Sequence, residues 1–266
     1  MISPVVDFEW LQGHPDAVIV DVRWYLDGRS GRDAYEQGHI PGAVFVDLDL
    51  ELAGPPSPRA GRHPLAEPHH FAAAMGRLGI SADSTVVAYD DAGGTIAARL
   101  VWMLRALGTE AAVLDGGIAV HPGPLETGRA ERAATTYPTR PWPSHLLADI
   151  EDASSPANVV IDARDPARFR GDLEPVDPRP GHIPGALNMP CRSNLGPDGR
   201  FLPVEELRRR FEAAGVGPGA VSYCGSGVTA CHNLLALEWA GVGPGRLFPG
   251  SWSQYSSDPS RPAEIG

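Results

Sequence analysis

The most constraining feature of this sequence is an internal duplication. Four short blocks occur twice and in the same order along the 266 residues, once in each half of the chain. The paired blocks are residues 18–23 with 159–164, residues 39–43 with 182–186, residues 87–90 with 221–224, and Gly116 with Gly250. The second pair reads His-Ile-Pro-Gly-Ala in both places. Because the period is far longer than that of a solenoid, the chain is predicted to contain two copies of one domain.

Each copy alternates apolar segments with amphipathic ones. In the first copy the pattern predicts strands at residues 18–22, 43–45, 85–89 and 111–114, and helices at residues 67–78 and 96–107. Apolar strands separated by helices are typical of a mostly parallel sheet with helices on both faces. The predicted fold class is therefore α/β, with two tandem domains. We expect a first domain at residues 1–122, a linker at 123–144 and a second domain at 145–266.

Composition excludes several classes of function. The net charge is −11, from 22 basic and 33 acidic residues, which argues against nucleic acid or an anionic membrane as the main partner. The chain has no lysine, so Schiff-base chemistry and a Walker phosphate loop are both unavailable. No apolar run is long enough to cross a membrane, and the N-terminus does not resemble a signal peptide.

The three cysteines indicate free thiols. Cys191, Cys224 and Cys231 form neither a Cys-x-x-Cys pair nor a zinc-binding pattern. We therefore expect no metal, no cofactor and a reducing cytoplasm as the compartment. Cys231 lies two helical turns after Cys224, about 10.5 Å along the axis, which is too far for a disulfide in an intact helix. Cys191 and Cys231 are predicted to be structural.

Cys224 lies where a predicted strand meets a predicted helix. Residues 221–223 are mainly apolar, Cys-Gly-Ser-Gly follows, and the residues from Val228 onward have helical periodicity. The N-terminus of a helix carries unpaired N–H groups and partial positive charge, which together favour an anion. A thiolate on Cys224 would be stabilised there. The first copy has Asp90 at the matching position, and a carboxylate cannot act as a soft nucleophile. The first copy is therefore predicted to be catalytically silent.

Taken together, these blocks resemble the tandem-domain rhodanese family of sulfurtransferases, over nearly the whole chain. Within that family, the loop from Cys224 to Ala230 is similar to that of the 3-mercaptopyruvate sulfurtransferases, whereas rhodaneses that prefer thiosulfate tend to carry basic residues after the cysteine. The resemblance implies two rhodanese-like domains and a ping-pong reaction. Sulfur would pass from 3-mercaptopyruvate to Cys224 as a persulfide, and then to a thiol, cyanide or a thioredoxin-like acceptor.

The resemblance also implies the residues of the site. We expect catalytic roles for Cys224 and Ser226; a persulfide loop of Gly225, Gly227, Val228 and Thr229; and substrate binding by Arg168, Arg179, Asp49 and His63. Ser226 would hydrogen-bond the donor carbonyl or relay a proton, and Thr229 would cap the helix or hold the loop. Arginine suits the carboxylate of a keto acid because its guanidinium binds bidentately.

The position of the second arginine departs from the family pattern. The family's mercaptopyruvate enzymes usually carry it directly after a short segment that begins with Glu-Pro. In this chain Glu174-Pro175 is followed by Val176, Asp177, Pro178 and Arg179, so the arginine is displaced and Asp177 stands near its place. The prediction keeps Arg179 as the candidate for this role.

Other functions stay open at this level. Thiosulfate is the alternative donor, and a carrier that delivers the Cys224 persulfide to a partner protein is the alternative to an enzyme. A cysteine phosphatase on a related fold would need arginine six positions after the cysteine, where this chain has Ala230. The loop therefore lacks the guanidinium that grips phosphate.

Overall fold

The computed structural model describes residues 1–266 and divides them into two compact units. The first unit consists of Met1–Gly54, Ala66–Trp142 and Pro197–Phe201, and the second of Pro55–Leu65, Pro143–Gly196 and Leu202–Gly266. Each unit thus includes a short segment from the other half of the sequence. Most of the predicted linker belongs to the first unit. The domain boundaries expected from the duplication stay a prediction, because the compact units follow contacts and not chain order.

The first unit contains a five-stranded sheet with the order β1-β5-β4-β2-β3, in which every paired strand is parallel. Its strands are β1 (Val5–Val6), β2 (Val18–Asp21), β3 (Val44–Phe45), β4 (Thr85–Tyr89) and β5 (Glu110–Leu114). Its α-helices are α1 (Phe8–Gln12), α2 (Gly31–Gln37), α3 (Pro68–Arg77) and α4 (Ala97–Ala106). The predicted elements of this copy all form, and none of their ends differs from the prediction by more than one residue.

The second unit contains a four-stranded parallel sheet with the order β7-β6-β8-β9. Its strands are β6 (Val160–Asp162), β7 (Leu187–Asn188), β8 (Val221–Tyr223) and β9 (Arg246–Leu247). Its α-helices are α5 (Ile150–Ser154), α6 (Pro166–Phe169), α7 (Val204–Ala213), α8 (Ala230–Trp239) and α9 (Ser251–Tyr255). The order of its four strands repeats that of the last four strands of the first sheet, so the predicted α/β fold with two copies is confirmed.

The two His-Ile-Pro-Gly turns are held by a feature that the sequence comparison missed. Glu126 accepts the N–H of Gly42 at 2.7 Å, and the backbones of His39 and Glu126 form an isolated antiparallel bridge. In the second unit Glu264 makes the same contacts with the turn at His182. Because Glu126 returns to this turn, part of the predicted linker is tied to the first domain.

Buried apolar strands form the centre of each unit. In β4 and β8 every residue except Thr85 is buried, so the loops that follow these two strands begin from fixed points. No helix of the structure combines the length and apolar character that crossing a membrane requires.

Candidate active site

Cys224 directly follows β8 and is 2% exposed. Its backbone N–H donates to Ser251 Oγ at 3.1 Å, and its Sγ accepts a hydrogen bond from the N–H of Gly227, also at 3.1 Å. An N–H donor aimed at sulfur can hydrogen-bond a sulfur anion, such as that of a persulfide. The sulfur therefore lies inside the turn between β8 and α8, facing the backbone N–H of Gly227.

Gly227 is required by the shape of this turn. Its φ angle is +78°, in the left-handed region that side chains disfavour. A Cβ atom at this position would also lie 2.6 Å from the carbonyl oxygen of Pro249, too close for any contact. Glycine thus allows the backbone to curl tightly enough for its N–H to reach the Cys224 sulfur.

The corresponding loop of the first unit shows what such a turn binds. The carboxylate of Asp90 accepts four backbone hydrogen bonds, from Ala92, Gly94, Ile96 and Ala97, at 2.7–2.9 Å. Asp90 is fully buried; burial raises its pKa, and these four N–H donors oppose that rise. The loop is therefore an anion cradle, and in the first unit a side chain of the protein fills it. This is consistent with the predicted catalytic silence of that copy.

Ser226 and His63 are in direct contact. The Nδ1 atom of His63 lies 2.8 Å from the Oγ atom of Ser226, and both residues are buried. His63 belongs to segment 55–65, which is part of the second unit although it comes from the first half of the sequence. The fold thus brings together His63 and Ser226, two of the predicted site residues, in the loop that follows Cys224.

Segment 55–65 is anchored beside the turn that precedes α9. The backbone N–H of Arg62 donates to Ser253 Oγ at 2.9 Å. Gly61 has a φ angle of +86°, and a Cβ atom there would lie 2.5 Å from the carbonyl oxygen of Gly250. This close backbone approach requires glycine at position 61 and fixes the position of His63, two residues later.

Arg168 lies beside the cysteine loop and is held by two buried carboxylates. Its Nη2 atom donates to Glu174 at 2.6 Å and to Asp177 at 2.9 Å, and its Nε atom donates to Glu174 at 3.2 Å. Burial raises the pKa of Glu174, but the hydrogen bond and charge of Arg168, together with the backbone N–H groups of Asp177 and Val176, outweigh burial and lower this pKa below its usual value. The Nη1 atom of Arg168 would lie 3.4 Å from a Cβ atom at Gly225.

The structure places the Arg179 side chain against the backbone that ends and follows α9. Its guanidinium donates to four backbone carbonyl groups that follow or end α9, those of Tyr255, Ser256, Asp258 and Arg261. Carbonyl groups at a helix C-terminus lack partners within the helix, and a cation satisfies them. Nε and both Nη atoms of Arg179 are engaged in this way, and its predicted role in substrate binding stays a prediction.

Asp49 lies in the first unit, within the turn at Leu48–Leu52. Its carboxylate accepts a hydrogen bond from Trp24 Nε1 at 2.9 Å. It also lines a pocket together with Arg23, Trp24 and Phe45. Its role in substrate binding stays a prediction.

The remaining residues near the loop have structural contacts. Thr229 occupies the N-cap position of α8 but makes no capping hydrogen bond through its side chain, contrary to one of its two predicted roles. Burial, reinforced by the nearby Cys224, raises the pKa of the Cys191 thiol to about 12, although a hydrogen bond with Thr229 opposes this. The thiol of Cys231 donates to the carbonyl of Gly227 at 3.4 Å.

No group of three or more His, Cys, Asp or Glu side chains has an arrangement that could hold a metal ion.

Two contributors to the site were not identified from the sequence. Ser251 accepts the N–H of Cys224, and Arg62 donates to Asp177 at 2.6 Å. Ser251 has a φ angle of +51°, the only positive value outside glycine, and this marks it as a constrained position. Neither residue lies near Cys224 in the chain, so no local pattern pointed to them.

The family profile of the rhodanese-like domain matches the chain twice, at residues 7–120 and 143–258. The two matches cover most of the sequence and agree with the two parallel sheets. The chain belongs to the rhodanese-like family. The second matched region contains Cys224 and its loop, and the first contains Asp90 at the corresponding position.

Several relatives are similar to this rhodanese-like chain over nearly their full length. A Pseudomonas aeruginosa protein named as a probable 3-mercaptopyruvate sulfurtransferase is 43% identical over 265 residues, which is 95% of this chain and 93% of the relative. A Mycobacterium tuberculosis relative whose name places it among thiosulfate sulfurtransferases is 41% identical over 266 residues, with 96% and 93% coverage. The crystal structure of SseA from Escherichia coli, described as a 3-mercaptopyruvate sulfotransferase, superposes with a TM-score of 0.80 at 34% identity and covers 95% of this chain and 100% of its own.

Proposed function

We propose that this protein transfers sulfur from 3-mercaptopyruvate to a thiol acceptor through a persulfide on Cys224. The observation that carries the proposal is the hydrogen bond from Gly227 N–H to Cys224 Sγ, within a loop whose counterpart in the first unit binds a carboxylate. A sulfur nucleophile inside an anion cradle suits sulfur transfer, since both the thiolate and the persulfide are anions. Relatives named as 3-mercaptopyruvate sulfurtransferases support the choice of donor.

In the first half-reaction, the Cys224 thiolate attacks the sulfur atom of the donor. A bond forms between the two sulfur atoms, and the bond between the donor sulfur and its carbon breaks. The electron pair of the broken bond moves onto that carbon and forms the enolate of pyruvate. One proton then converts the enolate to pyruvate, and the remaining product is the Cys224 persulfide.

Ser226 and His63 are placed to assist the departure of the enolate. The Ser226 hydroxyl can donate to the donor's carbonyl oxygen, where the negative charge develops, while His63 holds the hydroxyl and exchanges protons with it. Arg168 would orient the donor through its carboxylate. Ser226 and His63 would thus stabilise the developing charge, and Arg168 would position the donor.

In the second half-reaction, an acceptor thiolate or cyanide attacks the outer sulfur, and the Cys224 thiolate leaves. We include thiols, a thioredoxin-like protein and cyanide as acceptors because each supplies a nucleophile able to take a sulfane sulfur. The three cysteines are free thiols, which supports the reducing cytoplasm as the compartment.

Thiosulfate is the second candidate donor. The name of the Mycobacterium tuberculosis relative favours it, and the backbone contacts of Arg179 engage one of the two arginines expected to hold a keto acid. Thiosulfate would give the same Cys224 persulfide, with sulfite as the leaving group.

The test is a comparison of both donors under the same conditions. Wild-type protein is expected to form pyruvate from 3-mercaptopyruvate with a higher kcat/KM than it forms sulfite from thiosulfate, and to gain the mass of one sulfur atom on Cys224. Cys224→Ser should lower both rates at least about 1,000-fold, because serine is a far poorer nucleophile toward sulfur. Cys231→Ser, a matched change in the same helix region, should retain activity. Full activity in Cys224→Ser would contradict the mechanism.

A further inference from the structure

Two guanidinium groups lie beside Gly225, next to the reactive cysteine. A Cβ atom at Gly225 would lie 3.1 Å from Arg62 Nη2 and 3.4 Å from Arg168 Nη1. A side chain at this position would therefore press against both groups. Glycine keeps that position free of a side chain, and the charged end of a small donor would lie there.

Asp177 connects the two arginines. Its Oδ1 atom accepts a hydrogen bond from Arg62 Nη1 at 2.6 Å, and its Oδ2 atom accepts one from Arg168 Nη2 at 2.9 Å. The Asp177 side chain is 1% exposed, so it is well shielded from water. The nitrogens of both arginines that are nearest to Gly225 are not those that bind Asp177. The carboxylate thus fixes the two guanidinium groups and leaves one edge of each directed at the loop.

We propose that Arg62 supplies the second guanidinium of the donor site, and that Asp177 sets the charge of donor that the site accepts. This inference rests on the proposed sulfur transfer and deepens it. Arg62 takes the place that the sequence had assigned to Arg179, whose guanidinium caps α9. It enters the site from segment 55–65, the same segment that carries His63.

The charge balance around the loop gives Asp177 its role in selectivity. Five ion pairs form a continuous network of three arginines and three carboxylates: Arg164 with Asp162 and Glu174, Arg168 with Glu174 and Asp177, and Arg62 with Asp177. The network is therefore neutral as a whole. A network without Asp177 would carry one positive charge more and would favour a dianion over a monoanion.

The two candidate donors differ in their net charge. The donor 3-mercaptopyruvate has one carboxylate and a single negative charge, whereas thiosulfate is a dianion. A neutral network with two directed guanidinium edges suits the monoanion, and the buried Asp177 carboxylate repels the second charge of thiosulfate. Asp177 is thus a specificity-determining residue that disfavours thiosulfate.

The experiment measures kcat/KM with three donors that differ in charge: 3-mercaptopyruvate, thiosulfate, and mercaptoacetone, which has the ketone without the carboxylate. Arg62→Gln is expected to lower kcat/KM for 3-mercaptopyruvate about tenfold or more and to change that for mercaptoacetone less than about twofold. Arg62→Lys should recover part of the loss. Asp177→Asn is expected to raise the ratio of thiosulfate to 3-mercaptopyruvate activity about tenfold.

Arg170→Gln is the matched control, because Arg170 is half-exposed and pairs with Asp172 at the surface. Its donor preferences should equal those of wild type. Melting curves identify any variant that has lost its fold. If Asp177→Asn unfolds, the kinetics of Arg62→Gln still test whether Arg62 binds the donor carboxylate. The Arg62 side chain is 27% exposed and tolerates replacement better.

Two results would overturn the inference. One is an equal loss of activity with all three donors in Arg62→Gln, and the other is an unchanged donor ratio in folded Asp177→Asn. Calorimetric titration with pyruvate supplies a readout independent of turnover, with a Kd expected to rise about tenfold in Arg62→Gln. If wild type transfers no sulfur, the proposed function fails, and the pyruvate titration still tests the role of Arg62 by itself.

Discussion

The Nδ1 atom of His63 lies 2.8 Å from the Oγ atom of Ser226, although the two residues are 163 positions apart in the chain. This contact joins a residue of the cysteine loop to a segment that comes from the first half of the sequence. It holds the Ser226 hydroxyl next to the imidazole of His63, as the proposed proton exchange between them requires.

Ser226→Ala is expected to lower kcat with 3-mercaptopyruvate by about 100-fold, the usual scale for loss of a proton-transfer group. The rate with thiosulfate should fall less than about threefold, because sulfite leaves as a stable anion and needs no enolate stabilisation. Adding His63→Gln should cause little further loss, since the two residues act as a unit. Steady-state kinetics with both donors provide the measurement. The exposed Ser193→Ala is the control, and equal losses with both donors would argue against a role in the enolate step.

Asp90→Ala is expected to lower the free energy of unfolding by about 3 kcal/mol or more. The change leaves four backbone N–H groups in a buried loop without an acceptor, and each such group costs about 1–3 kcal/mol. Urea denaturation measures the effect. Asp91→Ala, at an exposed neighbouring position, should cost less than about 1 kcal/mol. Similar values for the two variants would mean that the cradle contributes little to stability.

Arg179→Gln is expected to lower the free energy of unfolding by about 2–3 kcal/mol, because the four carbonyl groups at the end of α9 lose a charged donor. Its preference between 3-mercaptopyruvate and thiosulfate should stay that of wild type. Thermal melting together with kinetics on both donors separates the two properties. A selective loss of 3-mercaptopyruvate activity at unchanged stability would restore Arg179 to the donor site.

Glu174→Gln tests the pH dependence of the arginine network. The pKa of Glu174 in the folded protein lies below its ordinary value of 4.5, despite burial, because Arg168 donates to its carboxylate. The stabilisation by Glu174 is therefore fully present above pH 4.5 and is lost as the pH falls through the lower, folded-state pKa.

At pH 7 the variant should be about 2 kcal/mol less stable than wild type. The difference should shrink as the pH is lowered below 4.5, as followed by urea denaturation at several pH values. Glu205→Gln, at an exposed position, is the control and should show no such trend. A difference that stays constant down to the acid limit would contradict this assignment.

Local patterns were sufficient for the elements of the fold. Strand β4 begins and ends where the apolar run predicted, and the helices α3 and α4 follow the periodicity of their sequences. The repeated blocks were enough to predict two copies, and the equivalent strand orders confirm this. These features depend on residues close together in the chain, so a sequence carries them directly.

Contacts between residues distant in the chain could not be predicted from local patterns. The sequence suggested that Arg179 binds a carboxylate. In the structure its guanidinium donates hydrogen bonds to backbone carbonyl groups that follow α9. Arg62 had no pattern of its own, and only the position of segment 55–65 brings it to Asp177.

The sequence by itself determined that there are two domains, and it pointed to Cys224 as the proposed nucleophile and to Asp90 as the carboxylate at the matching position, because repetition and residue chemistry can be read along the chain. Only the tertiary structure decided which arginines and which histidine reach the loop. A guanidinium binds whichever acceptors packing brings within about 3 Å, and that choice depends on how distant segments come together.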